Sequence, residues 1–177
     1  MNFADTVSQQ QESSQMASRI ALVPTGNVQF VSFDDIPAIG VEGLGGCSVV
    51  VIASAYGAIL AHIPPLPLQQ PSPDFLGHSN VQSMMDQASA LYYYYKKYDF
   101  FPHAETVIVC AWLRGEMGVP EQLELMRESL HEIGHQPTIR TYAVPRTGNM
   151  NAPGQGTVVV TQGTDHAMVY VEGEPVV

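Results

Sequence analysis

One stretch constrains this chain more than any other. Residues 48–52 read Ser48-Val49-Val50-Val51-Ile52, a continuous β-branched run with no polar alternation. Such a run is expected of a strand covered on both faces. After a break at Ala55-Tyr56-Gly57, residues 58–63 (Ala58-Ile59-Leu60-Ala61-His62-Ile63) read as the next strand. Residues 27–33 alternate in the manner of a half-buried strand, and Asp34, Asp35 and Pro37 break it. Further strands are expected at 106–113, 138–144 and 157–161, with a short one at 167–172. Ser79 or Asn80 is positioned to cap a helix running to about residue 97, with Val81, Met84, Met85, Ala88, Leu91 and Tyr95 near helical spacing. Of its four consecutive tyrosines, Tyr92 to Tyr95, two are expected to face inward and two outward. Pro120 opens a second helix at a position where a missing N–H costs nothing, and Gly134 suits its C′ position. Strands and helices mix without strict βαβ order. The expected fold is therefore α/β: a single-domain layered sandwich of mixed β-sheets flanked by two main helices.

A chain of 177 residues suits one domain, and 45% hydrophobic against 14% charged residues is a globular composition. Residues 1–19 are rich in Gln and Ser and read as a flexible N-terminal segment, leaving 20–177 as the domain. The segment 64–74 holds five prolines and reads as a surface crossover, and 149–156 as a Gly/Pro/Asn loop. No apolar signal region opens the chain and no run approaches a membrane span, so a cytoplasmic protein without a membrane span is expected. The formal charge is −10, with cations scattered over Arg19, Lys96, Lys97, Arg114, Arg127, Arg140 and Arg146. Without a basic stripe, nucleic acid is not an expected partner. Two cysteines make neither a disulfide framework nor a cysteine-based zinc finger.

Two candidate sites compete. His131-Glu132-Ile133-Gly134-His135 is a literal H-E-x-x-H, the zinc-protease pattern that needs both histidines on one helical face and a third ligand downstream. Here Gly134 ends the helix and Pro137 forbids its continuation, so His135 falls outside the last turn. Thr138 and Thr141 stand where an extended motif needs glycine and histidine. His131, Glu132 and His135 are therefore rejected as a metal site, and no metal or other cofactor is expected. A zinc metalloprotease remains the lesser alternative.

The second candidate joins Gly43-Leu44-Gly45-Gly46-Cys47 to His62. If 48–52 and 58–63 pair antiparallel around residue 55, Cys47 lies opposite His62 or Ile63. Directly opposed side chains sit on the order of 5 Å apart at Cβ, so one register sets an imidazole beside a thiol. Such pairing lowers a thiol pKa and prepares a nucleophile, which then alkylates far faster than Cys110. Gly45 and Gly46 permit unusual φ, and the N–H groups of Gly46 and Cys47 could form an oxyanion hole. The competing reading is a small buried cysteine beside a tight turn, with His62 a satisfied core histidine. Cys110, inside an apolar strand, reads as a core residue.

The same residues resemble the CheD family of bacterial chemoreceptor glutamine deamidases and the cytotoxic necrotizing factor deamidases that share its cysteine hydrolase fold. The family pattern, T-x-G-L-G-S-C, a strand, a turn, and G-x-x-x-H-x-x-L-P, meets Val41-Glu42-Gly43-Leu44-Gly45-Gly46-Cys47 and Gly57-Ala58-Ile59-Leu60-Ala61-His62-Ile63-Pro64-Pro65. Weaker likeness continues through the Tyr-rich helix, the 106–113 strand, the helix ending at Gly134 and the strand from Thr138. The resemblance implies Cys47 as nucleophile and His62 as general base in deamidating an exposed glutamine of a protein substrate. The family's threonine falls on Val41, which has no hydroxyl. A backbone carbonyl serves in the toxin relatives, so the resemblance implies the Val41 C=O as the group orienting His62. The late Gly-Gly/Arg segment of the family is poorly matched around Arg146 to Gly156. A CheD-like binding protein that has lost catalysis is the alternative.

Overall fold

A computed structural model of the chain describes residues 19–66, 77–144 and 156–177. The expected N-terminal segment apart from Arg19, the proline-rich segment beyond Leu66, and the 149–156 loop apart from Gly156 lie outside the described residues, as does Arg146.

Two β-sheets and two helices form three layers. In chain order the strands are β1 (Ile20–Leu22), β2 (Val28–Ser32), β3 (Ala38–Val41), β4 (Ser48–Ala53), β5 (Gly57–Ile63), β6 (Glu105–Leu113), β7 (Glu116–Met117), β8 (Thr138–Ala143), β9 (Val158–Gln162), β10 (Ala167–Val171) and β11 (Glu174–Pro175). The helices are α1 (Gly77–Lys96) and α2 (Pro120–Glu132). The central sheet runs β2-β5-β4-β6-β7, with β8 parallel on β6; the outer sheet runs β1-β3-β9-β10-β11, with β1 parallel on β3. The other pairings are antiparallel, so both sheets are mixed.

The β-branched run occupies the middle of the central sheet because both of its faces are covered. Val49 and Val51 point into the core between the sheets, against Ile39, Val41, Val158, Val160 and Val169. Val50 and Ile52 point the other way, into a second core with α1 and α2. Burying each such side chain is worth about 1.5–3 kcal/mol, so this one strand joins all three layers. In the outer sheet β9 and β10 alternate buried and half-buried residues, as befits a sheet covered on one face only.

The helix expectations hold with one correction. Val81, Met84, Met85, Ala88 and Tyr92 form the buried stripe of α1, while Tyr95 stacks on Phe30 with ring centroids 3.5 Å apart. Tyr93 and Tyr94 are exposed, giving the expected two-and-two division. Ser79 and Asn80, however, lie inside α1 and do not cap it. In α2 Pro120 stands in the first turn as expected. No described helix is long and apolar enough to cross a membrane.

Candidate functional site

The β4–β5 hairpin sets the relation between Cys47 and His62. Ser54 N–H donates to the Gly57 carbonyl at 3.0 Å, and the Ser54 hydroxyl accepts from Tyr56 N–H and donates to the Phe100 carbonyl. The chain therefore turns about the Ala55–Tyr56 bond and not on Ala55. Val49 pairs with His62 and Ser48 with Ile63, which corrects the expected register. Cys47 lies one residue beyond the last pair. Side chains alternate along a strand, so Cys47 and Val49 share a face, and His62 lies on that face as a diagonal neighbour of Cys47. The two side chains thus meet the same inter-sheet space without being directly opposed.

His62 is 3% exposed and its ring is fixed from one side. Nδ1 lies 3.0 Å from the Val23 carbonyl. A carbonyl only accepts, so Nδ1 carries the proton and the lone pair sits on Nε2. Nε2 is buried and has no hydrogen-bond partner, which means the Cys47 thiol is not bonded to it in this geometry. Burial holds the imidazole pKa below its ordinary value, with the Val23 bond opposing. The ring is therefore a neutral base with an unused acceptor.

The orienting carbonyl is a correction to the expected role of Val41. Strand β1 runs parallel to β3 with Leu22 paired to Gly40, and Val23 N–H continues the ladder to the Gly40 carbonyl at 2.9 Å. Val23 thus lies beside Val41, one strand over, and it is Val23 that faces the ring. Val41 itself is 2% exposed and packs in the inter-sheet core.

Cys47 sits at the end of a tight turn. Its N–H donates to the Leu44 carbonyl at 2.8 Å, and the two central residues, Gly45 and Gly46, have φ of 53° and 109°. Two successive positive φ values belong to turns that glycine alone enters without strain. Leu44 is 1% exposed and anchors the turn in the inter-sheet core, and its N–H donates to the Gly156 carbonyl at 3.1 Å. Gly46 N–H donates to the Tyr142 hydroxyl at 2.9 Å, and that hydroxyl donates to the Cys47 carbonyl at 2.7 Å.

Both N–H groups expected to line an oxyanion hole are therefore occupied, Gly46 by Tyr142 and Cys47 by Leu44. The expected low thiol pKa is also corrected. Cys47 is 9% exposed, and burial pushes its pKa up to about 11. Cys110 is fully buried against the helices, accepts a bond from the Ser48 hydroxyl at 3.6 Å, and is likewise pushed up by burial. Its reading as a core residue stands.

The H-E-x-x-H segment forms a helix end. Gly134, at φ 88°, donates its N–H to the His131 carbonyl, and His135 N–H donates to the Leu130 carbonyl, the paired bonds of a Schellman cap. His131 and Glu132 are exposed on the last turn. His135 has left the helix and its Nε2 lies 2.8 Å from the Tyr92 hydroxyl. Among the described residues, no three His, Cys, Asp or Glu side chains are grouped to hold a metal ion.

Val23 and Tyr142 are the two contributors that the sequence did not mark. Each acts on the site through a contact between segments far apart in the chain, and no local pattern encodes it. No protein-family model matches the chain, and no curated protein sequence matches it.

Proposed function

We propose that the chain is a cysteine-dependent amidohydrolase that deamidates glutamine side chains of a protein substrate, with Cys47 as nucleophile and His62 as general base. One observation carries this reading: the buried, unpartnered Nε2 of a tautomer-fixed imidazole on the same strand face as Cys47. An unpaired acceptor in a core costs about 1–3 kcal/mol. A neutral imidazole with a free Nε2 lone pair is able to take a proton.

In the reaction, Nε2 takes the Cys47 proton as Sγ attacks the glutaminyl carbonyl carbon, forming the S–C bond and a tetrahedral oxyanion. The oxyanion collapses, the C–N bond breaks, and the proton held on Nε2 leaves with ammonia. Water then attacks the thioester while Nε2 takes its proton, the C–S bond breaks, and glutamate leaves as the thiol is restored. No cofactor takes part. The N–H groups of Gly46 and Cys47 are bonded to Tyr142 and Leu44 and do not serve the oxyanion in this geometry. A net charge of −10 favours a substrate surface that is not itself acidic.

Two observations favour a second reading, a binding protein that has kept the fold and lost catalysis: the protonated buried thiol and the occupied N–H groups. Ammonia release from N-blocked Gln-Gly and from unfolded casein separates the two. Deamidation appears as ammonia in step with a mass gain of about one dalton per converted glutamine, and is absent in Cys47→Ala and His62→Ala. Equal release by wild type and Cys47→Ala would overturn the proposal.

A further inference from the structure

We infer that Tyr142 is the positioning residue of the Cys47 turn, holding the thiol on the His62 face through its hydroxyl; this rests on the reading of Cys47 as nucleophile. The two groups it engages bracket Cys47. Gly46 N–H precedes the residue and Cys47 C=O follows it, and one oxygen accepts from the first and donates to the second. With Cys47 N–H already tied to the Leu44 carbonyl, the backbone is held on both sides of the Cys47 Cα. The direction of the Cα–Cβ bond, and so of Sγ, follows from that backbone. Glycines at 45 and 46 leave the turn without side chains of its own to fix it, so the constraint comes from outside.

The tyrosine is itself immobile. It is 2% exposed, lies in the inter-sheet core, and sits on β8 opposite Ala111 of β6, in a ladder continuous from Val107 to Trp112. Strand β6 also pairs with β4, the strand that Cys47 leads into. The hydroxyl is therefore referenced to the same sheet as His62. Burial pushes the phenol pKa up, so it keeps the proton it donates. A phenol placed only for packing would need one partner for its O–H; this one holds two backbone groups of a single turn.

Tyr142→Phe tests the inference, because it removes both bonds and little volume. Three quantities are read: ammonia release from N-blocked Gln-Gly, and the rates at which Cys47 and Cys110 react with 4,4′-dithiodipyridine. The expected result is a kcat lowered about 10- to 100-fold, as misplacement of a reacting group produces, with KM within about twofold. Cys47 reacts about tenfold faster, since the loosened turn exposes it and frees the Gly46 N–H beside it, while the Cys110 rate is unchanged. A general loosening would accelerate both thiols together and would overturn the inference. So would unchanged Cys47 reactivity. If wild type releases no ammonia, the deamidase reading fails while the thiol rates still decide the role of Tyr142. Should Tyr142→Phe not fold, amide hydrogen exchange of the wild type decides: a protected Gly46 N–H is expected, and exchange at the rate of an unstructured chain would overturn the inference.

Discussion

The state of the Cys47 thiol makes a prediction that runs against the reactive cysteine expected from the sequence. A free cysteine titrates near 8.5, whereas burial puts Cys47 at about 11. At pH 7.5 the difference leaves about 300-fold less thiolate. The more basic thiolate is the better nucleophile, and a Brønsted coefficient of about 0.4–0.5 returns roughly tenfold. Cys47 should therefore react with 4,4′-dithiodipyridine at pH 7.5 some 20- to 30-fold more slowly than a free cysteine, before restricted access slows it further. The rate should rise about tenfold for each pH unit between 7 and 10. The assay is the absorbance of released thiopyridone across that range, with Cys47→Ala supplying the Cys110 contribution to subtract. Linkage gives the same sign for stability. The folded thiol holds its proton to higher pH than the unfolded one, so its contribution is full below about 8.5 and declines as pH rises toward 11. A rate already level below pH 8 would refute this reasoning, for it would show a thiolate stabilised at neutral pH.

Two other predictions concern the helix end and the glycines. Glu132→Gln and His135→Ala should leave ammonia release unchanged, while His135→Ala lowers the unfolding free energy by about 1 kcal/mol through loss of the Tyr92 bond; zinc-dependent peptide-bond cleavage by the wild type that is lost in Glu132→Gln would revive the metalloprotease alternative. Gly57→Ala should destabilise more than Gly134→Ala by denaturant unfolding. A Cβ at 57 meets the Val31 carbonyl at 2.6 Å, whereas at 134 it meets open space and only the positive φ costs, about 1–2 kcal/mol.

What could be read from the chain beforehand followed the range of the interactions involved. The run at 48–52 was legible because burial on both faces removes alternation from the sequence itself. The end of α2 was legible because Gly134 and Pro137 act locally. Strands β1 and β3 were not: three and four residues long, they are strands only because β3 finds β9 and β1. The register that opposes Cys47 to His62 centres on Ser54–Ala55, and the structure centres one residue later, on Ala55–Tyr56, through Ser54 side-chain bonds that form with partners in three dimensions. Alternation still kept His62 and Cys47 on one face, a matter of parity and not of exact pairing. The carbonyl on His62 moved from Val41 to Val23 for the same reason as the missed strands, because it depends on how β1 lies against β3.

The directions of the two shifts also decide which protonation state the pair rests in. Burial pushes the Cys47 thiol up to about 11 and holds the imidazole below its ordinary value, so both oppose moving the proton from sulfur to Nε2 at rest. The neutral thiol and neutral imidazole are therefore the resting pair. On the proposed reading the pair is quiet at rest, and the proton would move only as a carbonyl carbon arrives to take the developing negative charge from sulfur. On this argument His62→Ala leaves the resting thiol nearly as unreactive as before and removes turnover, whereas a resting thiolate–imidazolium pair would lose thiol reactivity and turnover together.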